Sequence, residues 1–429
     1  MKAVIMAGGK GTRISAIAPE IPKPMIEIGG KPVLQHEIES LRDQGFFEII
    51  ITVSHMANKI IDYFGDGTKY GVHIEYFVEE QPLGNAGALF RMRDKLTEDF
   101  LLLNADAMFN IDFKRFVDYH KRKGGLVTLF THPNSHPYDS GMLIAGKNRE
   151  VLQWLAKEDA RPKWYANRVN AGLHVLNPSI LDMVEIEEGM GKEQTGKVDL
   201  DRQILKPLCG TEKMFCYDSP EYIKDMGTPD RYEAVCRDFE KGIIQSKNLR
   251  EKQRAIFLDR DGTINKYVGF LRNIDEFELL SGVEEAVKLI NSSGYLAIVV
   301  TNQPVIARGE VTEEELQSIH HKMETLLGAK GAYLDAIYYC PHHPHKGYEG
   351  EVPELKIDCS CRKPKPGLLL EAAQAFNIDL TESWMIGDSE SDIKAGKVAG
   401  CKTALIGEEN WGQDVMAKSL LEAVRTVLG

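Results

Sequence analysis

The amino-acid sequence predicts an α/β protein made of two Rossmann-like domains, and three observations carry that expectation. Short apolar runs of strand length (Lys2 to Ala7, Glu48 to Val53, Phe100 to Leu103, Ala255 to Leu258, Leu296 to Val300, Trp384 to Ile386) alternate with segments of helical period. Strands that are apolar throughout belong to parallel sheets covered by helices on both faces. A length of 429 residues exceeds one ordinary core and suits two units of roughly 200 residues. The polar stretch Arg237 to Arg254 then follows a helix expected over Arg231 to Phe239 and precedes a fresh buried strand. It predicts domains at 1–236 and 254–429 joined by a linker over 237–253.

Composition narrows the function classes. With 43% apolar and 27% charged residues and no repeat or low-complexity tract, the chain is a globular protein able to bury a sizeable interior. A formal charge of −12 disfavours a nucleic-acid partner, yet permits a local basic pocket for a small phosphorylated substrate. The apolar start, Met1 to Ala7, runs straight into Gly8-Gly9, too short for a secretory core. No apolar run approaches the ~20 residues of a membrane span, so no membrane partner and a cytoplasmic location are expected. Three of the seven cysteines sit in one short segment beside histidines, which favours a metal site over a disulfide framework.

The first strand ends in Ala7-Gly8-Gly9-Lys10-Gly11-Thr12-Arg13, where glycines allow a tight turn that aims backbone N–H groups at an anion. The loop lacks the Gly-Lys-Ser/Thr ending of a P-loop and the spacing of the dinucleotide fingerprint. Soon afterwards Pro22-Lys23-Pro24 presents a lysine on a stiffened backbone, suited to a phosphate contact. With Glu80 to Gly87, Leu102 to Asp106, Val169 to Gly172 and Lys224 to Pro229, these motifs resemble the sugar-phosphate nucleotidyltransferases over about residues 1 to 235. The resemblance implies a mixed sheet and in-line attack of a sugar 1-phosphate on the α-phosphorus of a nucleoside triphosphate, with pyrophosphate released. It also implies Mg²⁺ on Asp106 and Asp225, and charge neutralisation by Arg13 and Lys23. Nucleotide contacts would come from Gly8, Gly9, Gly11, Thr12, Arg13, Gln81, Gly84 and Asn85, and sugar contacts from Asn170, Gly172 and Lys157, with Lys163 a competitor for the last. The chain departs from the family in reading Ala156-Lys157-Glu158 for Glu-Lys-Pro, and Ala105-Asp106 for Gly-Asp.

In the C-terminal half, Leu258-Asp259-Arg260-Asp261-Gly262-Thr263 sets two carboxylates at the end of a buried strand, where open α/β sheets place their chemistry. Thr301-Asn302, Arg362-Lys363-Pro364 and Gly387 to Asp392 follow in the order of the haloacid-dehalogenase superfamily, which this half resembles. The resemblance implies a parallel sheet, Asp259 as nucleophile and Asp261 as acid and base. Mg²⁺ would be held by Asp259, Asp388 and the Asp261 carbonyl, with Thr301, Arg362 and Lys363 gripping phosphate. Cys340, Cys359 and Cys361 with a histidine make the ligand count of a closed structural Zn²⁺ site. His342, His343 and His345 compete for the fourth place, and Cys-x-His spacing favours His342.

Within the superfamily the run from about 254 to 410 is similar to the D-glycero-D-manno-heptose-1,7-bisphosphate phosphatases, although histidinol-phosphate phosphatases share much of the pattern. Pro304-Val305 stands where that family usually has Ser-Gly, and Ser389 where a lysine is common. Together the resemblances imply a bifunctional enzyme that strips the C7 phosphate and transfers GMP from GTP to heptose 1-phosphate. Its product would be GDP-D-glycero-α-D-manno-heptose for a surface polysaccharide such as lipopolysaccharide. A mannose-1-phosphate guanylyltransferase fused to another small-ester phosphatase, or one half kept only as a regulatory binding module, are the alternatives. Partners are expected to be small substrates, the nucleoside triphosphate and heptose phosphates, with homo-oligomerisation left open.

Overall fold

A computed structural model of the protein describes residues 1–9, 20–81, 83–183 and 197–429. Two compact units emerge: Met1–Thr131 with Leu143–Leu155 and Asn170–Asn248, and His132–Met142 with Ala156–Val169 and Leu249–Gly429. Two short segments of the N-terminal half thus group with the second unit. The ion pair of Arg168 Nη1 with Glu324 Oε1 at 3.3 Å and the bond from Tyr165 N to Thr325 Oγ1 at 3.0 Å anchor the later one. Residues 237–253 form no open tether. The Pro229–Glu240 helix runs into them, a short Ile243–Ser246 helix follows, and Val235, Ile243 and Ile244 are buried against Tyr222 and Met226.

The first unit is built on a nine-stranded mixed sheet. Its centre is parallel, with Ala3–Met6 between Glu48–Val53 and Phe100–Asn104. Val169–Leu176 then runs antiparallel to Phe100–Asn104. Because these strands are apolar on both faces, helices cover both sides: Leu34, Ile38 and Leu41 pack on one, Leu89, Ile204 and Leu205 on the other. A separate two-stranded ribbon pairs Ala107–Asn110 with Tyr222–Asp225 antiparallel, setting Asp225 opposite Ala107.

In the second unit six strands form an all-parallel sheet. The order is Ala336–Cys340, Tyr295–Asn302, Arg254–Leu258, Trp384–Gly387, Lys402–Ile406, Val415–Ala417. Arg254–Leu258 is central, so Asp259, Thr301 and Asp388 leave three adjacent strands at one carboxyl edge. Among the described residues no helix is long and apolar enough to cross a membrane.

Candidate functional site

Two separate sites take shape, one per unit. In the first, the opening strand ends at Met6 and Ala7 N donates to Thr52 O at 2.9 Å, so Gly8 and Gly9 lie at the carboxyl edge of the sheet. Gly11, Thr12 and Arg13 lie outside the described residues. Asp106 follows the neighbouring parallel strand at the same edge, and the ribbon carries Asp225 to it. Lys23, in the short turn Lys23–Met25 behind Pro22, joins the pair: its Nζ is 2.9 Å from Asp106 Oδ2 and 3.9 Å from Asp225 Oδ1. The lysine is 9% exposed and the two carboxylates 49% and 42%, so the acids face solvent while the cation is held behind them. Two exposed carboxylates converging on one point suit Mg²⁺, a hard cation that prefers oxygen. Arg231, in the first turn of the Pro229–Glu240 helix, also pairs with Asp225, a contact sequence reasoning missed.

The expected nucleotide and sugar residues divide. Gln81, Gly84 and Asn85 are exposed. Gly84 has φ +79°, and a Cβ there would sit 2.4 Å from Val198 O, so only glycine fits this backbone crossing. Asn85 Oδ1 accepts from Leu200 N at 2.7 Å, which commits that oxygen to holding the loop. Asn170 and Gly172 sit on the strand beside Phe100–Asn104; Gly172, at φ +76°, would drive a Cβ to 2.6 Å from Asn104 Nδ2. Behind them lies His174, buried, its ring pulled down to about 3 by desolvation and therefore neutral. Its Nε2 meets Asn170 Oδ1 at 3.1 Å and orients that amide. Lys157 is exposed on a turn of the second unit, where Asp159 N returns to Ala156 O at 3.1 Å. Lys163 lies over the Trp164 ring at 4.9 Å.

In the second unit the central group is Lys363. Its Nζ is 2.6 Å from Asp259 Oδ1, 2.6 Å from Asp392 Oδ1 and 2.8 Å from Val300 O. Desolvation pulls its ammonium down, but Asp259 and Asp392 outweigh it and hold the lysine above its ordinary value. Asp259, Asp388 and Asp392 bring carboxylate oxygens within 4.8 Å of one another. Burial pushes Asp259 up to about 7 against the pull of Lys363, with Asp392 and Asp261 pushing further. Burial, then Asp392, push Asp388 up to about 6. Such a cluster is relieved by a divalent cation, and its all-oxygen donor set fits Mg²⁺. Asp392 closes the Gly387 to Asp392 motif. Its Oδ2 accepts from Ser389 N at 3.1 Å as a capping box of the Glu390–Ala399 helix, which leaves Oδ1 for Lys363. The Asp261 carboxylate is absent from this trio and is held by Arg260, Gln303 and Asn265. Arg362 turns toward the cysteine loop, Nη1 donating to His342 O at 3.3 Å, and not toward Asp259.

These raised acids have a measurable consequence. Each is ordinary in the unfolded chain and raised in the folded one, so the folded state binds more protons between about pH 4 and 7 and loses stability as pH rises through that window. In Mg²⁺-free buffer the second unit should melt at a lower temperature at pH 8 than at pH 5. Added Mg²⁺ should raise the melting temperature more at pH 8, as calorimetry would show.

Cys340, His342, Cys359 and Cys361 form a second cluster within 4.8 Å. Sulfur separations of 3.2, 3.3 and 3.5 Å exceed the about 2.05 Å of a disulfide, so the cysteines are free thiols facing one centre. His342 Nδ1 lies 3.2 Å from Cys361 Sγ, whereas His343 Nδ1 contacts His345 O, so His342 is the nitrogen of the set. Three thiols and one imidazole match a closed tetrahedral zinc site.

Known proteins place the two units in families. The nucleotidyl transferase family matches residues 2–242, and a HAD-hydrolase-like family matches residues 360–423. A D-glycero-β-D-manno-heptose-1,7-bisphosphate 7-phosphatase of Yersinia pestis is 43% identical over 152 residues, 35% of this chain and 79% of that protein. The Pasteurella multocida enzyme of the same name is 45% identical over 154 residues, 36% and 81% respectively. The crystal structure of HddC from Yersinia pseudotuberculosis aligns at 26% identity and a TM-score of 0.47, covering 56% of this chain and 99% of that one. The chain belongs to the nucleotidyl transferase family through its N-terminal half and to the HAD-like phosphatases through its C-terminal part.

Proposed function

We propose that the chain is a bifunctional enzyme of heptose activation in the cytoplasm, where nucleoside triphosphates are available. Its phosphatase unit removes the C7 phosphate of D-glycero-D-manno-heptose 1,7-bisphosphate, and its transferase unit moves GMP from GTP onto the heptose 1-phosphate. The observation that carries this reading is the phosphatase relatives at 43% and 45% identity, whose names specify that bisphosphate, fused to a nucleotidyl transferase bearing the Lys23, Asp106 and Asp225 constellation. The phosphatase unit supplies the sugar 1-phosphate on which the transferase unit acts.

Asp259 attacks phosphorus as the sugar oxygen leaves, Asp261 protonates that oxygen, and Lys363 stabilises the charge on the transferring group. Asp259, Asp388 and Asp392 would hold Mg²⁺, which neutralises charge between the phosphoryl group and the nucleophile. In the transferase, Lys23 faces the developing charge and Asp106 with Asp225 would hold Mg²⁺ on the triphosphate. The cysteine cluster would hold structural Zn²⁺ and fix the loop ahead of Lys363. Phosphate must leave before pyrophosphate, because a remaining C7 dianion would have to be desolvated in a sugar pocket suited to a neutral end.

The α-anomer is the proposed substrate, by resemblance to α-specific guanylyltransferases and by the buried Pro304-Val305 in the loop after Thr301. The β-anomer is the second reading, favoured by the names of the relatives. Supplying each purified anomer with GTP and Mg²⁺ and following products by phosphorus NMR separates the two. GDP-heptose from the α-bisphosphate, with inorganic phosphate appearing first, is expected. Turnover of the β-anomer alone, or nucleotide transfer onto intact bisphosphate, rejects the assignment.

A further inference from the structure

Among the described residues the largest fully buried side chain is a charged one, Arg260. Burying a guanidinium is costly, and well-packed apolar residues commonly serve stability as well or better, so its retention directs attention to what the charge touches. Its Nη2 reaches Asp261 Oδ2 at 2.8 Å and Oδ1 at 3.0 Å, and its Nε reaches Oδ1 at 3.2 Å. Behind it Nη1 donates to His320 Nε2 at 3.2 Å. Burial, reinforced by the Arg260 charge, holds His320 neutral, so that nitrogen is free to accept. Asn265 Nδ2 donates to Oδ1 at 3.0 Å and Gln303 Nε2 to Oδ2 at 2.8 Å. The same Gln303 nitrogen lies 2.9 Å from Thr301 Oγ1.

Each oxygen of Asp261 therefore meets two donor groups, which fixes both its rotamer and the plane of its carboxylate. We propose that Arg260 and Gln303 are positioning residues for phosphoester cleavage, aiming Asp261 at the leaving sugar oxygen. The proposal rests on the reading of Asp261 as the proton donor to that oxygen. In the step concerned, an Asp259 oxygen forms a bond to phosphorus while the phosphorus–sugar oxygen bond breaks. Its electron pair stays on the sugar oxygen, which takes the Asp261 proton. A proton on Asp261 needs one acceptor direction vacated, and Gln303 is neutral and already shared with Thr301. The Gln303 bond is therefore the one that yields, while Arg260 keeps its contacts with both oxygens.

The test uses the full-length, metal-replete protein and two esters: an alkyl sugar phosphate, whose leaving oxygen needs a proton, and p-nitrophenyl phosphate, whose leaving group does not. The readout is kcat/KM, which reports steps through the first cleavage. Arg260→Lys and Gln303→Met should each lower it about 10²-fold for the alkyl ester, within the range of general acid catalysis, and less than about tenfold for the aryl ester. Asp261→Asn is the reference and should show the same contrast. If Asp261→Asn does not separate the two esters, the reading of Asp261 as acid fails. If it does, and Arg260→Lys and Gln303→Met affect both esters equally or neither, the positioning role is overturned. Should Arg260→Lys fail to fold, Gln303→Met, which exchanges one neutral side chain for another, carries the test alone.

Discussion

Asp259→Asn should reduce phosphate release to background while leaving pyrophosphate formation within about twofold of the parent, because an amide is a poor nucleophile and the transferase carboxylates sit in a different compact unit. The folded protein should tolerate the change. Asp259 is buried and raised in pKa, so removing its charge relieves an unfavourable burial, and Lys363 keeps Asp392 as partner at 2.6 Å. Asp106→Asn should do the reverse. The side chain is 49% exposed, so little stability is at stake. Pyrophosphate formation should nevertheless fall by more than the about 10–100-fold typical of losing an outer-shell partner of a metal ligand. Parallel assays of phosphate and pyrophosphate on each variant check both halves. Loss of both activities from either substitution, with an unchanged melting curve, would show that the two reactions share a site.

The second large effect is expected at the cysteine cluster. Structural zinc contributes an apparent free energy on the order of 10 kcal/mol in small metal-dependent folds, against about 5–15 kcal/mol for a whole domain. Cys361→Ser should therefore lose most bound zinc and destabilise the second unit. Even if relaxation limits the cost to about 3 kcal/mol, the melting temperature should drop by roughly 6–12 °C for a unit of this size. Phosphatase activity should fall with it, because Cys361 is two residues from Lys363 and the loop between them carries the lysine to Asp259. Elemental analysis of protein purified without added zinc, with melting of the variant, decides the matter. Metal-free protein with full phosphatase activity would remove zinc from the structure of this loop.

Buried parallel strands and residues attached directly to them were legible in the sequence. Asp259 follows an apolar run, and its placement needs nothing beyond the strand ending where it does. The cysteine cluster was legible because ligand chemistry restricts it to few residue types; spacing favours His342, and the folded loop then sets it apart from His343 and His345. What escaped depends on distant partners. Nothing local marks His174 as the group behind Asn170, or Arg231 as a partner of Asp225. Gln303 as a clamp on Asp261 is equally hidden, since those residues meet only across strand ends. Asp392 had a local signal, a serine three residues earlier at a helix start, whose functional meaning appears only once Lys363 arrives from the cysteine loop. Asn85 and Arg362 show that a polar residue inside a recognised motif can also hold a backbone group, Leu200 N and His342 O respectively, which the motif alone does not reveal.

The ribbon that joins Ala107–Asn110 to Tyr222–Asp225 also sets a timetable. A nascent chain exposes Asp106 when scarcely a quarter of it has been made, with Lys23 already translated, yet no second carboxylate stands beside it until the strand ending at Asp225 has emerged and paired. Closing so long a loop is thermodynamically tolerable, since each doubling of length costs only about 0.6 kcal/mol, but such non-local pairing is slow to form. The grouping of Lys23, Asp106 and Asp225 is therefore completed late. A ribosome stalled between residues 107 and 221 holds a fragment in which Lys23 and Asp106 are both translated but the strand that brings Asp225 beside them is not.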